Sequence, residues 1–119
     1  MPPFLLPVLG LMALSEPPAA LQETPRCAVR VQFGSYAMGI DRAALERVQA
    51  VLKRTRGVRA VAAQRWGREG ETTLCVTTRR TSDARRVFGR ITAALPRTPR
   101  GPILVEGRGG LRFEAPRPQ

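Results

Sequence analysis

The spacing of apolar residues changes several times along the chain, and the changes mark out alternating strands and helices. Over residues 27–33 (CAVRVQF) apolar positions alternate. Cys27, Val29, Val31 and Phe33 share one face and Ala28, Arg30 and Gln32 the other, as in a half-buried strand. After a small-residue loop at 34–39 the period lengthens, and Ala44, Leu45, Val48, Val51 and Leu52 fall on one stripe of a helix. Asp41 is placed to cap its first amides, Ile40 to staple onto Leu45, and Gly57 to take the left-handed turn that ends it. Residues 58–66 (VRAVAAQRW) read as a second strand, 67–70 as a turn, and 72–79 (TTLCVTTR) as a third strand, close enough to form a hairpin with the second. Ser82 opens a second helix whose stripe is Ala84, Val87, Phe88, Ile91, Ala94 and Leu95, with Pro96 as its stop. A fourth strand follows at 103–106. The glycine-rich turn at 107–110 can lead into a short extra strand at 111–114, before a proline-rich end.

The resulting order, β-α-β-β-α-β with a hairpin between the halves, is that of the ferredoxin-like fold. The expectation is an α+β sandwich, a four-stranded antiparallel sheet with two helices on one face. The halves are alike in letters too: RVQAVLKRTRG at 47–57 lines up with RITAALPRTPRG at 90–101, allowing one inserted residue. Residues 23–115 form a single domain on this reading, followed by a disordered tail at 116–119.

Residues 1–22 are of a different kind. Phe4 to Leu14 (FLLPVLGLMAL) is an apolar run that as a helix spans only about 16 Å, too short for a bilayer and suited to the core of a secretory signal. Ala13 and Ser15, or Ala19 and Ala20, offer the small residues that a signal peptidase reads. The run lacks a preceding lysine or arginine, so a disordered leader on a cytoplasmic chain is the competing reading. Export is the leading expectation, to the periplasm or beyond.

Charge changes this picture less than its size suggests. The formal net charge is +11, nearly all from arginine, with Lys53 the only lysine. Arginine forks match phosphate and carboxylate groups. The arginines are nevertheless spread along the whole chain, which reads as a compositional excess and not as a dedicated basic tail.

Absences narrow the chemistry. The chain has no histidine and no asparagine, which removes Ser–His and Cys–His nucleophiles, His-ligated metals and the arginine–asparagine pair of acylphosphatase-type chemistry. Two cysteines cannot supply four zinc ligands. The motif at 107–110 (GRGG) lacks the Lys-Ser/Thr of a phosphate loop and does not open a helix. Asp41 and Asp83 both sit at helix starts, where capping accounts for them. No catalytic, cofactor or metal site is expected.

Two candidate features remain. Cys27 and Cys75 lie on strands that neighbour each other in this fold, and an even cysteine count in an exported chain suggests a disulfide. Strand parity opposes it, since Cys27 shares a face with Val29 and Val31 while Cys75 sits opposite Leu74 and Val76. The bond requires Cys27 to lie outside the regular strand; otherwise one thiol is buried and the other open. The second feature is the open face of the sheet, presenting Arg30, Gln32, Gln64, Trp66, Thr73, Thr77 and Arg79. Such a face could stack bases and hold phosphates, as single-strand RNA binders of this topology do, although their aromatic-rich strands have no counterpart here.

Residues 31–52 (VQFGSYAMGIDRAALERVQAVL) loosely resemble the opening of OmpA-like peptidoglycan-binding domains: a strand, a small-residue turn and an amphipathic helix. That family's later Gly-His-Thr-Asp strand end is missing, and only Ser82 and Arg85 could correspond to its second helix, so no ligand residue is carried over. The expectation is a small exported, non-enzymatic binding or assembly module of the cell envelope, its partner an anionic envelope polymer or a protein. A basic single-strand nucleic-acid binder and a divergent peptidoglycan-binding module are the alternatives.

Overall fold

In a computed structural model, residues 27–118 are described, and the leader with its apolar run and cleavage positions lies outside them. The elements are β1 (Val29–Phe33), α1 (Arg42–Arg54), β2 (Val58–Arg65), β3 (Thr72–Thr78), α2 (Asp83–Ala93), β4 (Ile103–Gly107) and β5 (Leu111–Ala115). They form an α+β fold with two helices and one sheet in the order β2-β3-β1-β4-β5, every neighbouring pair antiparallel.

This corrects the expected four-stranded sheet to five strands. The physical reason lies in β5, whose inward residues have core to cover. Phe113 stands opposite Val105 and packs against the core, and Ala115, opposite Ile103, is buried. Beside them Gly107 leaves room for Phe88 and Leu111, whose atoms lie 3.3 Å from where its Cβ would be.

One face of the sheet carries Val29, Val31, Phe33, Leu74, Val76, Ile103 and Val105, all buried. Both helices lay their stripes on it: Ala44, Leu45, Val48 and Leu52 from α1, and Ala84, Val87 and Ile91 from α2. Each fully buried aliphatic side chain there contributes about 1.5–3 kcal/mol. The edge strand β2 is the exception, exposed on both faces from Arg59 onward, with a register shift between Val58 and Ala60 that leaves Arg59 as the extra residue. A bulge and flanking arginines are common protections for such an edge.

Helix starts and ends are held by identifiable groups. Asp41 accepts the Ala44 N–H at 3.0 Å and, from 59 residues away, the Arg100 N–H at 3.0 Å, tying the start of α1 to the loop before β4. At the other end, Gly57 turns with φ +96°, and a Cβ there would meet the Asp83 side chain at 2.7 Å. Ser82 makes no side-chain cap; Asp83 instead accepts the Arg80 N–H at 3.2 Å and pairs with Arg86 at 3.3 Å. The two aspartates therefore sit at opposite ends of the molecule, each occupied with backbone.

Burial by itself would raise the Asp41 pKa, but the N–H groups of Arg100 and Ala44, with the charges of Arg100 and Arg47, outweigh it and hold the carboxyl below its ordinary 3.8. A depressed folded-state pKa stabilises the fold fully above 3.8, and this is lost as pH falls through the lowered value. We expect Asp41→Ala to cost about 1–2 kcal/mol near neutrality. In urea titrations the wild type and the variant should converge as pH drops below 3.8; a pH-independent gap would refute this role.

Candidate functional site

Antiparallel register turns the open face into rows of side chains. One row runs Ala62, Cys75, Arg30, Glu106, Arg112 across the five strands, and the next runs Gln64, Thr73, Gln32, Leu104, Glu114. Beyond the second row, the ends of the strands contribute Trp66, Gly34, Pro102 and Pro116.

These last residues frame a cleft of about 360 Å³ over the sheet, with Gln32 and Leu104 on its floor and Tyr36, Arg112 and Glu114 on its rim. This volume is within the range of small-ligand sites. The indole Nε1 of Trp66 donates to Thr73 Oγ1 at 2.8 Å, so the ring leans onto the open face of the sheet instead of capping the core. Its main chain is fixed by the Trp66 N–H bond to the Glu71 carbonyl at 2.8 Å. Both rings remain available: Trp66 is 45% exposed and Tyr36 57%.

The loop carrying Tyr36 is organised by Ser35, whose Oγ accepts the N–H groups of Ala37 and Gly39 at 2.9 Å each. That geometry holds Ala37 at φ 101°, a conformation that costs a non-glycine residue about 1–3 kcal/mol. Met38, next in line, is 92% exposed. The opposite wall depends on a close approach at Gly101, where a Cβ would run into the Gly34 carbonyl. The Gly34 N–H donates to the Pro102 carbonyl at 2.8 Å and closes that contact.

Electrostatically the cleft is close to neutral. Arg112 is gripped by Glu106 at 3.0 Å and Glu114 at 2.9 Å, and Arg30 stands directly across from Glu106 in the register. The arginine fork on this face is thus occupied by carboxylates. Among the described residues no cluster of three or more His, Cys, Asp or Glu could hold a metal ion.

Of the residues singled out in the sequence, Gln32 and Trp66 line the cleft, and Thr73 orients Trp66. Gln64 lies in the same row as Thr73 and Gln32, while Arg30 and Cys75 share the row behind. Thr77, opposite Ala60, sits toward the far end of the face, and Arg79 lies past the end of β3, exposed. Tyr36, Pro102, Leu104, Arg112, Glu114 and Pro116 escaped sequence reasoning.

Cys27 and Cys75 are joined, with Cα atoms 5.2 Å apart. The parity objection falls because β1 begins only at Val29. The chain bends at Ala28, which is buried beside Val29 and bonds through its N–H to the Val76 carbonyl at 2.7 Å. Two consecutive buried residues break the alternation and send Cys27 to the open side, where Cys75 waits. Among the described residues no helix is long and apolar enough to cross a membrane. Compared with protein-family models, curated proteins and solved structures, the chain shows no match.

Proposed function

We propose that the chain is an exported, non-enzymatic binding module of the cell envelope that grips a sugar unit of an envelope polymer in the open-face cleft. The observation carrying this reading is the pairing of two exposed aromatic rings, Trp66 and Tyr36, with planar polar groups, Gln32 and Glu114, around one cleft. Sugar rings offer C–H faces that stack on aromatic rings and hydroxyls that bond to amides and carboxylates. The occupied Arg112 favours an uncharged portion of the ligand over a phosphate. The disulfide is compatible with an oxidising compartment, where such bonds persist. On the same reading, β1 to β4 with the two helices form a ferredoxin-like unit to which β5 is added.

Trp66 is the only tryptophan, so its fluorescence reports directly on the cleft. Titration with soluble peptidoglycan fragments should shift that emission saturably, and Trp66→Ala should weaken binding about tenfold or more, measured by calorimetry. Export is tested separately, by a mature N-terminus within residues 15–22 in the envelope fraction. An intact Met1 in the cytoplasm, or an emission change only with single-stranded RNA at low salt, would replace this reading with the nucleic-acid one.

A further inference from the structure

The arginines that look dispersed in sequence converge in space at one end of the molecule. Because β1, β2 and β5 run one way and β3 and β4 the other, the end away from the cleft gathers the α1–β2 connection, the β3–α2 connection and the first turn of α2. These bring together Arg54, Arg56, Arg59, Arg79, Arg80 and Arg85, all exposed. The two connections are laced to each other by main-chain acceptors: the Arg79 N–H donates to the Gly57 carbonyl at 2.8 Å, and Arg86 Nη1 donates to the Arg56 carbonyl at 2.9 Å. The acid at this end, Asp83, is buried and committed to Arg80 and Arg86, and Glu106 on β4 is held by Arg112. Little of the positive charge here is cancelled.

We propose that this basic pole docks on the headgroup plane of an anionic phospholipid bilayer. The cations fringe one end of the sheet, on two connections, the end of α1, the edge strand β2 and the start of α2, and none of them lines the cleft. The aromatic rings that could stack nucleic-acid bases lie at the opposite end, around the cleft. A plane of mobile phosphates matches a fringe of guanidinium groups, each of which can take an oxygen pair. Docked this way, the domain holds its cleft directed away from the membrane. The inference rests on the charge distribution alone and stands whether or not the cleft binds sugars.

Flotation of the full chain with vesicles tests it. Vesicles of phosphatidylcholine containing about a third phosphatidylglycerol should retain the chain at low salt and release it at about 0.5 M. Vesicles of phosphatidylcholine alone measure any contribution of the apolar leader. The triple variant Arg56→Gln/Arg59→Gln/Arg80→Gln should lose about a hundredfold in the charge-dependent partition, about fivefold per cation. The control Arg65→Gln/Arg68→Gln/Arg97→Gln, removing three exposed charges nearer the cleft end, should stay within about threefold. Circular dichroism checks both folds, and single Arg59→Gln, expected at about fivefold, serves if the triple variant does not fold. Equal losses in both triples, no preference for anionic vesicles, or tighter binding to polyphosphate or RNA than to vesicles would overturn the proposal.

Discussion

Reduction of the Cys27–Cys75 bond should lower the stability of the domain by about 4 kcal/mol, because the bond closes a loop with a sequence separation of 48 residues. In the chain-entropy account the gain comes from the unfolded state, whose loop closure the bond enforces. A domain of this size draws on a total of only about 5–15 kcal/mol, so the loss is a large fraction of it. Thermal melts with and without reductant should differ by about 15–30 °C, and Cys27→Ser/Cys75→Ser should melt with the reduced protein. The local structure supports the assignment of this cost to the unfolded chain. Ala28 keeps its own bonds, giving its N–H to the Val76 carbonyl and taking the Arg108 N–H at 3.0 Å, so the β1 entry is held without the sulfurs. A shift under about 5 °C would show that the bond adds little to what those ladder contacts supply. Free thiols in protein recovered from its native cells under thiol-blocking conditions would show that the bond does not form there.

The elements that depend on local spacing are the ones legible in sequence. Val48 and Leu52, Val87 and Ile91 recur at helical period, and these four are buried where the helices cross the sheet. Asp41 caps as a residue of its type and place should. What escapes is decided by register between distant segments. Gln32 meets Leu104, and Leu104 meets Glu114, only because β1, β4 and β5 pair as they do, so a cleft drawing on residues 32 to 116 has no sequence signature. The basic pole is hidden in the same way, since residues 54–59 and 79–86 read as separate patches of an arginine-rich chain until the strands bring their ends together. Parity along β1 misleads for the opposite reason. The alternation from Cys27 is regular in letters, but the bend at Ala28 interrupts it, and a single irregular residue reverses the side on which Cys27 emerges.

Phe33→Ala should be the most damaging single core substitution, costing about 3–5 kcal/mol. Phe33 is the largest of the fully buried side chains in a core otherwise built of valine, leucine, isoleucine and alanine. It lies on β1, the central strand, paired with Thr72 on one side and Ile103 on the other, so no edge is near to collapse into the space it leaves. Phe88 and Phe113 are only partly buried against the same core, and Phe113 belongs to the edge strand β5. Urea unfolding should therefore rank Phe33→Ala well above Phe113→Ala, with Phe33→Leu at under about half the cost of the alanine variant. A small loss for Phe33→Ala, or a larger one for Phe113→Ala, would mean the core is centred toward β5 instead of beneath β1. The position also bears on the site: Phe33 immediately precedes Gly34, whose N–H holds Pro102 at the cleft wall. On the proposed sugar-binding role, a folded Phe33 variant with a relaxed β1 end should bind the fragments more weakly than its stability alone predicts, whereas Phe113→Ala, on the helix-covered face of β5, should leave the affinity unchanged. That difference, measured by Trp66 fluorescence well below the melting point of each variant, separates a rigid floor under the cleft from a merely stable fold.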